Sequence, residues 1–267
     1  MKLGSVLGWT VGTGAGLLAY GSLVETQRLE LTRTTLHLPR WPESLRGFRI
    51  GLIADLHLRP GRTVDLCRRA INMLIAEDPD VVVIAGDFVE GWDDRSLDLL
   101  WEGLYDLDHF RGRLIAVPGN HDYHQGRAEW LGAIIEPLGG RFLVNQACSI
   151  GGVSWVGIDS GNEGNPRPYS TLEKADWSQP TVVIWHEPDF VDTLPEGPDL
   201  MLSGHSHGGQ FITPWGWAPM TSRNGRKYLQ GFFASPPVPL YVTRGVSTTF
   251  LPSRLFCLPE AAILTLE

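Results

Sequence analysis

The segment from Val81 to Asp87 constrains the fold of this chain more than any other. Its apolar run, Val-Val-Val-Ile-Ala, is typical of a strand that is buried on both faces in a parallel sheet covered by helices. Gly86 ends the run, and the carboxylate of Asp87 follows at once. Ligands of open α/β sheets bind in the crevice beyond the carboxyl ends of the strands. Asp87 is therefore a candidate binding residue, with the capping of a turn as its alternative role.

Two further apolar stretches in the first half also end directly in polar residues. The strand predicted at 48–54 leads into Asp55-Leu56-His57, and the two-residue period of a strand places the Asp and the His on the same side. The strand predicted at 114–117 leads into Gly119-Asn120-His121-Asp122. Helices predicted between these strands would make the strands parallel. We therefore expect their polar ends to meet at one edge of a sheet.

The second half of the chain repeats the arrangement. A strand predicted at 181–185 ends in His186, and one at 200–203 ends in Gly204-His205-Ser206-His207. Carboxylate oxygens, an amide oxygen and imidazole nitrogens are ligands that suit divalent metals. The sequence thus predicts an α/β fold with a metal site at the strand ends. The loop 161–170, rich in Gly, Asn and Pro, is a candidate lid over that site.

The N-terminal segment predicts a membrane anchor. Residues 3–24 carry no charged side chain, and a helix of that length would reach about 33 Å, enough to cross a bilayer core of roughly 30 Å. A glycine at every fourth position from Gly4 to Gly16 would permit close helix packing and a helix-mediated homodimer. A cleaved signal peptide is the alternative. Residues 1–24 are thus the predicted anchor, and 25–47 a tether and lead-in strand.

The charge distribution bears on location and partners. Arg28, Arg33 and Arg40 follow the apolar segment, whereas Lys2 alone precedes it, which favours a cytoplasmic domain at a bacterial inner membrane. The formal net charge of −8 argues against a nucleic-acid surface. The three cysteines show no CxxC spacing, so neither a disulfide framework nor a zinc knuckle is expected.

Together, the polar clusters resemble the signature of the calcineurin-like metallophosphoesterase superfamily. The resemblance rests on Asp55-x-His57, Gly86-Asp87, Gly119-Asn120-His121-Asp122, His186 and Gly204-His205-x-His207, in that order. It covers residues 48–267 and implies a four-layer α/β/β/α sandwich, here preceded by the predicted N-terminal membrane helix. No position of the signature departs from the pattern.

The resemblance also implies a site for two divalent metal ions. One ion would be held by Asp55, His57, Asp87 and His207. The other would be held by Asp87, Asn120, His186 and His205. Manganese is the first choice of metal, with iron, zinc and magnesium as alternatives. A hydroxide that bridges the ions would attack phosphorus, with His121 stabilising the transition state or protonating the leaving oxygen, and Asp122 orienting His121.

Three residues outside this signature are candidate substrate contacts. Arg244 and Arg59 could clamp phosphate oxygens, and His124 lies close behind His121 in the sequence. Each has an alternative role as a solvated surface residue. The apolar stretch 211–217, just after the last histidine, is predicted either to meet a lipid interface or to pack in the core.

The hydrophobic N terminus and the stretch Gly-His-Ser-His-Gly-Gly-Gln resemble the membrane-associated bacterial branch of the superfamily. That resemblance implies hydrolysis of UDP-2,3-diacylglucosamine, a lipid-linked nucleotide diphosphate of lipid A biosynthesis, to UMP and a lipid phosphate. The alternatives are a general phosphodiesterase of the cell envelope and a non-catalytic metal-binding scaffold. A scaffold would be expected to lack a metal ligand or His121, and none of these residues is missing.

Overall fold

Two six-stranded sheets form the centre of the computed structural model, which describes residues 14–267. The first sheet combines strands from both ends of the chain, and the second is built from its later half. In chain order the strands are β1 (Glu30–Leu36), β2 (Phe48–Ile53), β3 (Val81–Ala85), β4 (Leu114–Val117), β5 (Arg141–Phe142), β6 (Gln146–Ile150), β7 (Val153–Gly157), β8 (Thr181–Ile184), β9 (Leu200–Ser203), β10 (Gly231–Phe233), β11 (Leu240–Val242) and β12 (Glu260–Leu266). The order is β1-β12-β2-β3-β4-β5 in the first sheet and β10-β11-β9-β8-β7-β6 in the second.

The strands that precede the predicted ligands are parallel within each sheet. Strands β2, β3 and β4 lie side by side, with Ile53 opposite Ile84 and Ala85 opposite Val117. Strands β8 and β9 pair in the same way in the second sheet. Because parallel strands end at the same edge, the polar residues that follow them are brought together there.

Helices cover the outer faces of the two sheets. They are α1 (Arg62–Glu77), α2 (Ser96–Leu104), α3 (Gly132–Ile135) and α4 (Pro168–Leu172). On α1, Val64, Cys67, Ile71 and Leu74 are buried against the first sheet, as their three- and four-residue spacing predicts. Leu172 of α4 packs on the outer face of the second sheet.

The apolar run of β3 serves two separate cores. Val82 and Ile84 pack beneath the helices, whereas Val81, Val83 and Ala85 face the second sheet. Successive side chains of a strand point to opposite faces, so a strand between a helical layer and another sheet must be apolar at every position. This burial accounts for the sequence of β3 and gives the mixed α/β, two-sheet fold, with helices outside both sheets.

The predicted lead-in segment contributes a strand to the first sheet, since β1 pairs in parallel with β12 along its length. Just before β1, the buried carboxylate of Glu25 accepts the N–H of Cys257 at 2.8 Å. Residues 14–23 are helical, and Gly21 lies so close to Arg254 that there is no room for a Cβ. The segment before β2 is therefore packed on the domain from Gly21 onward.

The structure contradicts the predicted location in a bacterial inner membrane. Within residues 14–267, no helix is both long and apolar enough to cross a bilayer. The predicted anchor at 3–24 falls partly on residues 3–13, which lie outside the described part of the chain. The predicted membrane helix, its cytoplasmic orientation and its pairing into a homodimer therefore have no support from the described residues.

Candidate metal centre

Five of the predicted metal ligands have left-handed backbone conformations. The φ angle is 54° at Asp55, 41° at His57, 56° at Asp87, 69° at His205 and 51° at His207. Such angles cost energy in residues that carry a Cβ, and they cluster at sites where the fold enforces an unusual geometry. All five follow the ends of β2, β3 and β9, so these strained turns aim side chains from three strands at one point.

Asp87 lies at the centre of this arrangement. Its Oδ1 accepts the backbone N–H of His121 at 2.8 Å. Its Oδ2 lies 3.5 Å from Nε2 of His57 and 3.1 Å from Nε2 of His186. One oxygen of Asp87 is thus held by the backbone, and the other lies between two imidazole rings that belong to different sheets.

A first cluster of candidate ligands comprises Asp55, His57 and His207. Nε2 of His57 lies 3.1 Å from Nε2 of His207, which is 3.6 Å from Oδ1 of Asp55. Nδ1 of His207 donates to the carbonyl of Ser247 at 3.2 Å, so Nε2 carries the lone pair in the neutral ring. Two imidazole nitrogens and a carboxylate at these distances can share a cation.

A second cluster of candidate ligands comprises Asp87, His186 and His205. Nδ1 of His186 donates to the carbonyl of Ala85, and Nε2 of His205 to that of Arg223, both at 2.6 Å. Each neutral ring therefore keeps its other nitrogen free for a ligand, as is usual for metal-binding histidines. Gly86 is needed beside them, because a Cβ there would lie 2.6 Å from Nδ1 of His186.

The charges of the side chains in this centre compensate one another. Burial opposes ionisation of Asp87, but His186 outweighs it and holds the pKa of Asp87 well below its usual range. Burial also opposes protonation of His186, yet Asp87 raises the pKa of His186 well above that of free histidine. Burial and the neighbouring His57 lower the pKa of His207, which keeps that ring neutral. Metal binding is therefore expected to displace the proton of His186.

The residues at this edge fit divalent cations. Asn120 Oδ1 and His186 Nε2 are buried and have no hydrogen-bond partner among the described residues. The Nε2 atom is close to Asp87 but is not aligned with it for a hydrogen bond. Unsatisfied buried polar atoms are rare, and a metal is one of the groups that can satisfy them. Carboxylate, amide and imidazole donors suit manganese, iron, zinc and magnesium alike.

His121 stands beside the two clusters and points into the cleft. Its Nδ1 donates to the carbonyl of Glu90 at 2.9 Å, and its Nε2 lies 3.4 Å from Oγ1 of Thr249. The ring centroid of His121 is 4.6 Å from that of His57 and 4.4 Å from that of His124. His124 is therefore a direct neighbour of His121.

Asp122 was predicted to orient His121, but among the described residues its carboxylate forms its hydrogen bonds with backbone N–H groups and not with the ring of His121. Burial and the charge of Asp87 raise the pKa of Asp122 to about 7, whereas the N–H groups of Gly119 and Val89 favour its ionised form. The side chain joins the loops that follow β3 and β4. Its fully buried carboxylate accepts the backbone N–H groups of Asp87, Phe88, Val89 and Gly119 at 2.8 to 3.2 Å.

The two arginines predicted to bind substrate lie outside the cleft. Arg244 pairs with Glu30 at 2.7 Å and approaches Glu260 at 3.5 Å. Arg59 pairs with Glu90 at 3.2 Å and lines a separate cavity of about 280 Å³. Because a carboxylate already neutralises each guanidinium, neither is placed to bind a phosphate beside the two clusters.

A cleft of about 220 Å³ lies above the clusters. Its lining includes Asn162, from the predicted lid loop 161–170, together with Arg223 and Thr249, which sequence reasoning missed because nothing in the sequence connects their loops with the histidine motifs. Arg223 is exposed, and within residues 14–267 its guanidinium takes part in no ion pair. A basic side chain at the rim of this cleft is suited to contact an anionic substrate.

Two further residues that sequence reasoning missed support the ligands. Oε2 of Glu90 lies 3.0 Å from Nδ1 of His57. The fully buried guanidinium of Arg254 donates to the carbonyl of His207 at 3.2 Å. The position of Glu90, three residues after Asp87, was a usable signal, whereas nothing in the sequence around Arg254 indicated its role.

The structure bears on the predictions for two loops near the centre. The first residues of the loop 161–170 are tied down, because the buried carboxylate of Glu187 accepts the N–H groups of Gly161 at 2.9 Å and Asn162 at 3.2 Å. In the stretch 211–217, Trp215 and Trp217 are exposed by 78% and 60%, so the prediction of core packing is wrong for these two side chains.

Comparison with known proteins gives a matching family and relatives that are named for phosphoesterase or phosphodiesterase activity. Residues 48–209 match the profile of the family described as Calcineurin-like phosphoesterase. The chain is 28% identical over 263 residues to the uncharacterized metallophosphoesterase YkuE of Bacillus subtilis, covering 96% of this chain and 91% of that protein. It is 29% identical over 264 residues to the phosphodiesterase YaeI of Escherichia coli, covering 96% and 95%. A solved dimetal phosphatase from Danio rerio is 14% identical, with a TM-score of 0.49, over 75% of this chain and 88% of that one.

The matched segment begins at β2 and extends past the last predicted ligand, His207. The prediction of a metal-dependent phosphoester hydrolase is thereby confirmed. Since the profile covers more than half of its length, the chain belongs to the calcineurin-like phosphoesterase family.

Proposed function

We propose that this enzyme is a phosphodiesterase that works with two divalent cations. One cation would be held by Asp55, His57, Asp87 and His207. The other would be held by Asp87, Asn120, His186 and His205. When bound, the cations would supply Lewis acidity toward phosphoryl oxygens and a water of lowered pKa.

The position of Asp87 Oδ2 carries this proposal. It lies near Nε2 of His57, from the first proposed ligand set, and near Nε2 of His186, from the second, at 3.5 and 3.1 Å. A carboxylate oxygen between two such groups is suited to serve both cations. Two like charges a few ångströms apart repel strongly unless an anionic group lies between them.

The side chains around the cleft would position substrate and manage the leaving group. His121 is held through Nδ1 by the carbonyl of Glu90, which leaves Nε2 directed at the cleft. When protonated, His121 can donate from Nε2 to the oxygen of the departing alcohol. Arg223, on the cleft wall, would hold non-bridging phosphate oxygens.

A phosphodiester is the substrate class that the relatives favour. YaeI is named a phosphodiesterase, and its similarity extends over 96% of this chain. The complete ligand set, together with His121, argues against a non-catalytic scaffold. The narrower prediction, hydrolysis of UDP-2,3-diacylglucosamine, depended on the membrane anchor and has no support from the described residues. It is best tested beside simple diesters.

Metal content tests the proposed ligand sets. Asp87→Asn should reduce occupancy of both sites together, because one carboxylate would serve two ions. Asn120→Ala should reduce the content by at most one ion. Inductively coupled plasma analysis of the purified full-length variants measures this. Two ions retained at normal occupancy in Asp87→Asn would remove that residue from the bridging role.

Turnover tests the substrate class. The manganese-loaded protein should hydrolyse bis(p-nitrophenyl) phosphate faster than the monoester p-nitrophenyl phosphate. His121→Ala should retain both ions but lower kcat, by roughly 10² to 10⁴ for diesters whose leaving alcohol needs a proton. Release of UMP from UDP-2,3-diacylglucosamine, with little diester hydrolysis, would instead favour the lipid nucleotide. Absence of hydrolysis with every ester would contradict the proposed function.

A further inference from the structure

An apolar pocket of about 190 Å³ adjoins the cleft above the metal clusters. Its walls come from three loops, at 206–211, 220–222 and 249–251. Met220 and Leu251, on two of these walls, expose 50% and 39% of their surfaces. Exposed apolar side chains that are grouped around a pocket mark a binding surface more often than scattered ones do. The apolar side chains that line it are Phe211, Met220, Phe250 and Leu251.

The pocket and the cleft are continuous. They share three lining residues, His207, Ser222 and Thr249. Thr249 marks the boundary, because its Oγ1 lies 3.4 Å from Nε2 of His121 while its loop forms a wall of the pocket. The pocket therefore opens on the side of the cleft where His121 would meet the departing oxygen.

The pocket is held in shape by the nearly buried amide of Gln210. Nε2 of Gln210 donates to the carbonyls of Thr249 at 3.2 Å and Leu251 at 2.9 Å. Its Oε1 accepts the N–H of Thr249 at 3.3 Å. These three hydrogen bonds fix the loop 249–251 against the segment that carries His207. The wall of the pocket is thus built into the same structure as the metal ligands.

Phe250 adds a second, independent sign that this loop serves a ligand. Its φ angle is 58°, and 83% of its surface is exposed. A left-handed conformation costs energy in a bulky residue, and an exposed aromatic ring gives up the stabilisation that burial would supply. Both costs are expected where a loop holds a side chain ready for a bound group rather than for the core.

We propose that this pocket is a subsite for an apolar ester group of the phosphodiester substrate, on the His121 side of the phosphorus. This inference rests on the proposed function and narrows it. The metal clusters and Arg223 would bind the anionic phosphate, while the pocket removes an alkyl or aryl group from water. The substrate class is therefore a phosphodiester of an apolar alcohol, rather than one with two small polar ester groups.

A homologous series of non-hydrolysable ligands tests the subsite without turnover. The probes are methyl(alkyl)phosphinates with linear alkyl chains from methyl to hexyl, which keep one negative charge and a tetrahedral phosphorus and have no P–O–C bond to cleave. Isothermal titration calorimetry with the manganese-loaded full-length protein gives Kd for each. We expect Kd to fall by about fourfold for each methylene that enters the pocket, and then to level off when it is full.

A matched pair of variants separates the pocket from general surface effects. Met220→Gln combined with Leu251→Gln should flatten the dependence of Kd on chain length. Leu97→Gln on α2 is the control, because Leu97 is exposed by 51%, close to the 50% of Met220, and does not line the pocket. The control should keep the wild-type dependence of Kd on chain length. All three substitutions alter exposed positions, so the fold is expected to persist in both variants.

The outcomes distinguish this inference from the proposed function. A Kd independent of chain length in the wild type, with diester hydrolysis intact, would overturn the subsite and leave the phosphodiesterase standing. If the protein hydrolyses no diester and binds no phosphinate, both the subsite and the proposed function are overturned. A dimer in sedimentation analysis that the double variant abolishes, together with a flat chain-length series, would assign the pocket to a second copy of this chain instead.

Discussion

The loops of the first sheet and the loops of the second sheet are held by buried side chains of opposite charge. After β3 and β4, the carboxylate of Asp122 accepts four backbone N–H groups. After β9 and β11, the guanidinium of Arg254 donates to carbonyls, and within residues 14–267 it forms no ion pair with a carboxylate. The carbonyls are those of His207, Arg244, Gly245, Ser247 and Cys257.

The difference lies in how far apart the bound groups are in the sequence. Asp122 mainly gathers the consecutive N–H groups of 87–89, and successive N–H groups in a tight turn form a natural site for an anion. Arg254 reaches carbonyls in three separate segments, at 207, 244–247 and 257. A guanidinium can do so because it has five donors in a rigid fork. The anion therefore shapes one turn, whereas the cation joins several.

The comparison predicts that loss of the cation costs more stability than loss of the anion. Arg254→Met should lower the free energy of unfolding by about 4 kcal/mol or more, because it leaves the carbonyls of Arg244 and Cys257 without a donor and removes one of the donors to three other carbonyls. It should also weaken metal binding, since the backbone of His207 loses a contact. Urea denaturation followed by circular dichroism measures the stability, and calorimetry with Mn²⁺ measures the affinity.

Two variants control this prediction. Arg68→Met removes a half-exposed arginine whose one ion pair, to Asp106, spans 3.8 Å, and should change stability by no more than about 0.5 kcal/mol. Arg254→Lys keeps the charge but loses the forked donors of the guanidinium. Its free energy of unfolding should therefore lie between those of wild type and Arg254→Met. If Arg254→Met lowers the free energy of unfolding by less than about 1 kcal/mol, as Arg68→Met does, water replaces the guanidinium without cost.

The second prediction concerns the anion. Asp122→Asn should lower the free energy of unfolding by about 2 to 3 kcal/mol, because the amide NH₂ would face two backbone N–H donors in either orientation. Asp65→Asn, at a position exposed by 73% on α1, is the matched control and should be neutral. Urea denaturation followed by circular dichroism measures the free energy of unfolding of both variants. If Asp122→Asn lowers the free energy of unfolding by more than Arg254→Met does, the order that the comparison predicts is reversed.

The two anchors also differ in how well the sequence predicts them. Asp122 was recognised as a site residue because it follows Asn120 and His121 at the end of an apolar strand. Its contacts with the loop backbone were not predicted, because hydrogen bonds to backbone N–H groups leave no trace in side-chain patterns. Arg254 was missed for the same reason, since its partners are carbonyls and any residue type can supply one.

The strands β2, β3, β4, β8 and β9 were predictable because burial on both faces requires a largely apolar run. The ligands that follow them were predictable because parallel strands end together. The edge strand β1 carries no such run, since one face of β1 is partly exposed, and the sequence predicted it only as a lead-in strand without bounds of its own. The lid loop 161–170, which carries Asn162, was predicted to lie over the site, but its meeting with Arg223 was not, because loops that are far apart in sequence meet there only after the two sheets pack.

The smallest effect on stability is expected at Glu90, which supports a single ligand rather than a loop. Its Oε2 lies 3.0 Å from Nδ1 of His57, but the two atoms are not aligned for a hydrogen bond, so the interaction depends on charge. Glu90→Gln keeps the shape of the side chain and removes its charge. The substitution should weaken Mn²⁺ binding by about tenfold, while the free energy of unfolding should change by less than about 0.5 kcal/mol. Glu43→Gln, exposed by 83%, is the control for loss of a surface carboxylate. Calorimetric titration of the three proteins with Mn²⁺ gives the affinities. Equal affinity in Glu90→Gln and wild type would mean that backbone strain at His57, not the carboxylate, fixes the ring, and the anchors of the loops would then account for the whole geometry of the centre.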